Sequence, residues 1–278
     1  MARAENKEMA SPTAKLVADV AKRARSRKKL TQEQLGKSIG FSAAAVSAME
    51  TCAQPASDEM LVALERELGD GMGIFEKARL YMRMETYPPL FKDYALLEQA
   101  ALRLQLFSIT VVHGLFQTEA YARALIGGGY PPLPEQRVDE LVKARMVRKA
   151  LFDREPVALI EVVLEEALLT RVVGNAEIMR EQLLHLTECA GRRNVTLQVL
   201  PLDSGLRGEQ AGLYGEISVV ETPEHEHLVY LEAQDESLLI SDPAKVSMYS
   251  QRCAKIRAQA MGPRESLDLI KRLAGVEE

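Results

Sequence analysis

Residues 30–50, LTQEQLGKSIGFSAAAVSAME, constrain the fold of this chain more than any other stretch. Thr31 and Gln34 have the spacing of a capping box, in which the hydroxyl takes one orphan backbone N–H and the amide reaches back to another. Leu35 and Ile39, four residues apart, share one face of the helix that follows. Gly40 ends that helix with the residue type for which a left-handed backbone costs least. Ser42 can cap a second helix that turns Val46 and Met49 inward. The spacing therefore predicts two short helices joined by a tight turn, a helix-turn-helix, whose second helix is suited to the major groove of DNA.

Charge supports a nucleic-acid partner only locally. The chain of 278 residues carries a net charge of −5, which argues against a protein that coats nucleic acid unselectively. Between residues 22 and 37, however, Lys22, Arg23, Arg25, Arg27, Lys28, Lys29 and Lys37 face Glu33 alone. Residues 1–69 hold 11 Lys/Arg against 9 Asp/Glu, a net of +2 that leaves −7 for the remainder. A cationic shoulder beside a helix-turn-helix suits phosphate contacts. No apolar run approaches the roughly 20 residues that span a bilayer. The opening MARAENKEMASPTAK lacks a signal-peptide core. The expected location is cytoplasmic, with no membrane partner.

The chain is long enough for two domains. Residues 1–12 read as a mobile tail. A helix marked by Leu16, Val20 and Ala24, the two motif helices and a fourth striped by Met60, Leu61, Leu64 and Leu68 compose a helix-turn-helix domain over 13–72. Gly69-Asp70-Gly71-Met72-Gly73 reads as a hinge, followed by a linker helix over 73–89 that Pro88-Pro89 interrupts. Residues 90–278 read as an α+β domain. Helices are expected over 90–103, 117–125, 135–152 and 177–191. Strands are expected over 157–163 and 194–200, with three antiparallel ones over 214–220, 227–232 and 237–240. Two final helices, 243–261 and 263–273, start near prolines. The fold class expected is α+β and mostly helical: an all-α N-terminal bundle, then an α+β domain with a small antiparallel sheet.

The first segment resembles the Xre family of helix-turn-helix regulators through Leu30-Thr31-Gln32-Glu33, Leu35, Gly40-Phe41-Ser42, Val46-Ser47 and Met49-Glu50. The resemblance implies that Gln32 hydrogen-bonds a DNA phosphate and that positions 42–48 lie against bases. The larger part resembles the uncharacterised C-terminal domain of actinobacterial Xre-type regulators of the WhiJ-like, antitoxin-like group. The resemblance there is carried by 88–94 (PPLFKDY), 114–124 (GLFQTEAYARA), 164–168 (LEEAL), 179–183 (MREQL) and 194–201 (NVTLQVLP). Together they imply a transcription regulator often paired with a small protein encoded by an adjacent gene; the partners expected on the leading reading are double-stranded DNA and, in a homodimer, a second copy of the chain. The resemblances imply no catalytic activity.

The chain departs from the family pattern where sequence would be read. Ala43, Ala44 and Ala48 stand at the positions that usually contact bases, and alanine cannot hydrogen-bond a base edge. Ser42 and Ser47 remain, less selectively. Cys52-Ala53 replaces the usual glycine and base after Glu50-Thr51, which puts cysteine where a left-handed backbone is expected. The DNA-facing residues expected are therefore Arg23, Arg27, Lys28, Gln32, Lys37, Ser42, Ala43, Ala44, Ser47 and Ala48, with affinity resting on the cations, Gln32 and dimerisation. Leu90 and Tyr94 stand where the family often carries tryptophan, and His113 replaces a common proline.

No constellation points to catalysis, a cofactor or a metal. His225 and His227 sit in an acidic turn without further ligand spacing, and His185 with Cys189 reads as a packed helix face. Adjacent Glu165 and Glu166 point different ways. Gly127-Gly128-Gly129 lacks the Lys-Ser/Thr of a phosphate loop. Cys52, Cys189 and Cys253 are odd in number and widely spaced, which predicts neither a disulfide framework nor a zinc site. Two other readings compete with the regulator. One is a degenerate DNA module kept as a protein-interaction scaffold. The other is a ligand sensor holding a small molecule around residues 114–121.

Overall fold

The computed structural model describes residues 11–84, 89–207, 211–233 and 236–276. The chain divides into two units, Met1–Tyr87 and Pro88–Glu278. The N-terminal unit is five helices: α1 (Pro12–Arg27), α2 (Gln32–Ile39), α3 (Ala43–Glu50), α4 (Asp58–Leu68) and α5 (Ile74–Met84). Four begin on a hydroxyl cap. Ser11, Thr31, Ser42 and Ser57 each accept a hydrogen bond from the backbone N–H three residues on, at 3.1–3.2 Å. Each such cap contributes about 1 kcal/mol. Val17 and Ala21 of α1, Leu35 and Ile39 of α2, Val46 and Met49 of α3 and Leu61, Leu64 and Leu68 of α4 close one core.

Three expectations need correction here. Ser11 and Pro12 are the cap and first turn of α1 rather than tail, while 1–10 lie outside the described residues. The helix expected to be a linker belongs to the bundle: Phe75 and Ala78 of α5 are buried in its core, and the division between units falls after Tyr87, inside the 69–89 interval the sequence predicts for the boundary but at its far end and not near the 73 it favours. The expected linker's residues 85–88 are outside the described residues. The glycine-rich stretch is a tied turn rather than a hinge. The Glu65 carboxylate reaches across it and accepts from the backbone N–H groups of Gly73 (3.0 Å) and Phe75 (2.7 Å), which caps α5.

The second unit runs α6 (Pro89–Ala100), β1 (Arg103–Ser108), α7 (Glu119–Gly127), α8 (Glu135–Val147), β2 (Leu159–Glu165), α9 (Glu166–Thr170), α10 (Ala176–Ala190), β3 (Val195–Leu200), β4 (Ile217–Glu221), β5 (His227–Ala233), β6 (Glu236–Ile240), α11 (Pro243–Gln259) and α12 (Pro263–Leu273). The fold is α+β, as the sequence predicts. The sheet is not the small antiparallel one expected. It has six strands in the order β3-β2-β1-β4-β5-β6. β1, β2 and β3 pair in parallel, and only the β1–β4, β4–β5 and β5–β6 pairs are antiparallel. Strand β1, at the centre, occupies residues that the sequence reading ended as a helix and left unassigned.

Alternation along the strands divides the core. Leu104, Leu106, Ile160, Val162, Leu164, Leu197 and Val199 face a cluster completed by Leu183, Leu186 and Cys189 of α10 and Leu269 and Ile270 of α12. Phe107, Val163, Leu200, Ile217, Val219, Val229 and Ile240 face the other way, against Val246, Cys253 and Ile256 of α11. The half-buried Glu161 of β2 lies on this second face. It accepts from Arg103 and Gln105 at 2.8 Å each and from Arg257 of α11. Burial alone would raise the Glu161 carboxyl, but hydrogen bonds from Gln105 and Arg103 and the charges of Arg103 and Arg257 hold it below the usual carboxylate range.

The stretch Gly114–Tyr121, suggested by sequence as a ligand region, is filled by its own side chains. Leu115, Phe116 and Tyr121 are buried. Gln182 accepts from Thr118 N at 2.8 Å and donates to the Phe116 carbonyl at 2.7 Å. Gln117 donates to the Val112 carbonyl and accepts from Arg145. Beside it, Arg148 clasps Glu98 with two hydrogen bonds of 2.7 and 2.6 Å, the two side chains being 4% and 0% exposed. No helix among the described residues is long and apolar enough to cross a membrane.

Candidate nucleic-acid interface

The paired helices form as their residues dictate. Thr31 Oγ1 accepts from Gln34 N at 3.1 Å while Gln34 Oε1 accepts from Thr31 N at 2.8 Å, a complete capping box. Gly40 turns the chain at φ +80°, and Phe41 N donates back to the Gly36 carbonyl at 2.8 Å. Ser42 then caps α3. Val46, Met49 and Glu50 of α3 are buried; Ser42, Ala43 and Ala44 are exposed, and Ser47 and Ala48 are half-buried. Just past α3, Cys52 does adopt the left-handed backbone its place implied, at φ +57°. Ala53 N and Gln54 N both donate to the Ala48 carbonyl, at 2.9 and 3.2 Å.

The two helices are braced from within by a buried carboxylate. Glu50, the last residue of α3, accepts from Arg25 Nε at 2.6 Å and Nη2 at 2.8 Å, and from Gln32 Nε2 at 2.8 Å. Arg25 Nη1 also donates to the Leu30 carbonyl at 2.7 Å, so one guanidinium ties α1, the turn before α2 and the end of α3. Burial would push the Glu50 carboxyl up. Hydrogen bonds from Arg25 and Gln32, then the charges of Arg25 and Lys22, bring it below the ordinary carboxylate range. Bidentate arginine pairs of this kind are among the stronger polar contacts.

This arrangement sorts the residues singled out by sequence. Ala43, Ala44, Ser47 and Ala48 are together on α3, with Ser42 as its cap. Gln32, at the start of α2, directs its amide N–H to Glu50. Arg27 and Lys28, at the end of α1, both pair with Asp70, and Lys28 also donates to the Glu67 carbonyl at 2.6 Å. Their charge is thus turned toward the end of α4. The pairing, led by Lys28, lowers the Asp70 carboxyl. Lys22, Arg23, Lys29 and Lys37 are exposed and make no ion pair among the described residues.

Sequence reasoning missed the Arg25–Glu50 brace and counted Arg25 with the outward charge. A signal was present: Glu50 stands at i+4 from Val46 and next to Met49, on the inward stripe of α3. An acid on that stripe requires a cation.

Outside this interface, His225 Nδ1 lies 2.8 Å from Glu221 Oε1 at the exposed β4–β5 turn. His185 Nε2 sits 3.6 Å from Cys189 Sγ and 3.1 Å from Lys149 Nζ on α10. Burial pushes the Cys189 thiol up to about 11, the wrong direction for a nucleophile.

Neither a curated protein nor a solved structure matches the chain. One family model does, over residues 91–272, which is most of the second unit and none of α1–α5. By that match the chain belongs to the family described as Domain of unknown function (DUF5753).

Proposed function

We propose that this protein is a DNA-binding transcription regulator. Its N-terminal unit grips duplex DNA through α3 and the cations around it, as a homodimer. Its DUF5753 unit receives control from a small partner protein, in the manner of an antitoxin-like pair. The observation that carries the reading is the brace. Arg25, Gln32 and Glu50 hold α2 and α3 from the inside, while Ser42, Ala43 and Ala44 are exposed within the described residues of the N-terminal unit. A preorganised helix with an exposed N-terminal end, beside Lys22, Arg23, Lys29 and Lys37, fits a duplex whose phosphates supply most of the affinity. In a dimer, two copies of α3 would read half-sites about one helical turn, roughly 34 Å, apart.

The alanine face sets what kind of binder this is. A bidentate side-chain contact discriminates a base by about 1–3 kcal/mol, and Ala43, Ala44 and Ala48 supply none. Specificity then comes from DNA shape, thymine methyl contacts and Ser42 and Ser47. The test is fluorescence anisotropy with the chain's own promoter region and a scrambled duplex of equal length, across a salt series. Affinity should fall log-linearly with salt, by about 0.9 in slope for each phosphate neutralised. Preference for the promoter should be modest. Substituting Arg23, Lys29 and Lys37 together with glutamine should flatten the slope. A folded protein that ignores every duplex at low salt would instead favour the second reading, a helix-turn-helix retained as a protein-interaction scaffold, which the same alanine face supports.

A further inference from the structure

In sheets with parallel strands, ligands are held beyond the carboxyl ends of those strands, where connections leave the sheet and their side chains converge. In this protein the three parallel strands end around a cavity of about 230 Å³. Ile109 just past β1, Glu165 at the end of β2 and Leu200 at the end of β3 form its floor, and Leu202, Ser204 and Leu213 of the β3–β4 connection form its wall.

The frame of the cavity is built. Glu166 Oε2 accepts from Leu202 N at 3.0 Å, which fixes the outgoing chain. Glu216 Oε1 accepts from Thr110 N at 3.1 Å, which fixes the segment after β1. Gly212 lets the connection lie directly on the strand ends: a Cβ there would stand 2.7 Å from Leu200 Cδ2 and 3.0 Å from Phe107 Cζ.

Two groups are left with unmet chemistry. Glu165 is half-buried on the cavity floor and has no hydrogen bond or ion pair from its carboxylate among the described residues. Of the lining residues, Leu202 and Leu213 are 65% and 68% exposed, and Leu206 of the same connection is 84% exposed. So much large apolar surface concentrated in one short connection marks a binding site more often than bare surface. A lining that sets Ile109, Leu200, Leu202 and Leu213 beside one convergent carboxylate and the Ser204 segment suits a ligand with a hydrocarbon body and a cationic head. The volume lies below the roughly 300–1,000 Å³ of drug-sized sites, so the ligand is small. We propose that this cavity binds a small apolar amine, its ammonium on Glu165 and its hydrocarbon against Leu200, Leu202 and Leu213. The site is independent of the DNA reading and is tested on the protein alone.

The experiment is a titration of the full-length chain, labelled at its leucine methyls, with n-hexylammonium, n-hexanol and n-hexanoate, followed by NMR. The methyls of Leu200, Leu202 and Leu213 should respond saturably to hexylammonium at the lowest concentration, to hexanol next and to hexanoate last. Glu165→Gln should weaken hexylammonium roughly tenfold, the loss expected of a hydrogen bond to a charged group, and leave hexanol unchanged. Leu202→Ala, at an exposed position that folding does not require, should weaken hexylammonium and hexanol alike. Equal or preferred binding of hexanoate, a hexylammonium affinity indifferent to Glu165→Gln, or no saturable response at these methyls would overturn the site.

Discussion

Each unit of the molecule contains one arginine that clasps a buried glutamate with two hydrogen bonds, yet the two pairs do different work. Glu98–Arg148, in the second unit, has side chains 0% and 4% exposed and joins α6 to the turn after α8 inside a closed core. Arg25–Glu50, in the first, leaves the arginine side chain 13% exposed, recruits Gln32 and ties the helices whose outer face is proposed to meet DNA. A fully enclosed pair can only hold its core together. A pair at the rim of a core can also set the angle of a surface helix. Breaking a buried pair by removing one partner costs far more than the pair contributes as a whole, because the remaining charge stays buried.

The comparison is broken most severely at the enclosed pair. Arg148→Met strands the Glu98 carboxylate and should destabilise the second unit by about 3–5 kcal/mol. Urea unfolding followed by a probe in that unit would measure it. The double substitution Glu98→Leu with Arg148→Met should recover much of the loss. If the double variant is no better than the single one, the arginine acts through packing and not through its charge.

A neighbour of this pair makes it sensitive to acid. Burial, outweighing the attraction of Glu98, and then the charges of Arg148 and Arg145 hold the His113 imidazole down to about 4 from an ordinary 6.5. Between those values the unfolded chain binds more protons than the folded one. Stability is therefore complete above pH 6.5 and falls as acid is added down to about pH 4, by no more than about 3 kcal/mol. Replacing His113 with asparagine keeps an acceptor for the Leu115 N–H, which His113 Nδ1 provides at 3.4 Å. The asparagine variant should lose this slope. A slope unchanged from the parent would assign the acid sensitivity to the carboxylates instead.

The rim pair should respond less in stability and more in helix placement. Arg25→Ala removes two hydrogen bonds to Glu50 and one to the Leu30 carbonyl. Gln32 and water can still reach the Glu50 carboxylate, so the expected loss is about 1–3 kcal/mol. Glu50, whose carboxyl sits low in the folded protein, contributes its stability above the ordinary carboxylate range and loses it as pH falls through the folded value. That acid limb should disappear in the variant. Amide exchange should accelerate at the end of α3 before it does in α4. Uniform acceleration across the bundle would mean that this pair, like the enclosed one, only holds its core.

These contrasts also show what the chain discloses before it folds. The α2–α3 pair was legible because its signals are local: a capping box, a glycine at the turn and inward residues three and four apart. The fate of Arg27 and Lys28 was not, since their partner Asp70 lies more than 40 residues on. Strand β1 escaped notice because six residues, Arg103–Ser108, follow a helix directly and pair with β2 across a long connection. A parallel partner leaves no turn to read. The three consecutive strands β4, β5 and β6, close together in sequence, were found with nearly correct bounds. Helix α5 could have been assigned to the bundle from Phe75, Ala78 and Met82, whose spacing is that of a buried face. The Gly69–Gly73 turn looked like a hinge because nothing within it reveals that Glu65 caps it from upstream.

The smallest effect separates the rim pair from the loop that follows it. Cys52 stands two residues after Glu50 with φ +57°, a conformation that costs a non-glycine residue roughly 1–2 kcal/mol. The loop is held there by the Ala53 and Gln54 N–H groups on the Ala48 carbonyl. Cys52→Gly relieves that cost but gives the unfolded chain more freedom, so the net gain should be below about 1 kcal/mol. If the brace alone positions α3, the glycine variant should raise the melting temperature slightly and leave the acid limb of Glu50 where it was. A shift of that limb would mean that the loop and the ion pair set the end of α3 together. The strained cysteine would then be part of what holds the carboxylate against Arg25.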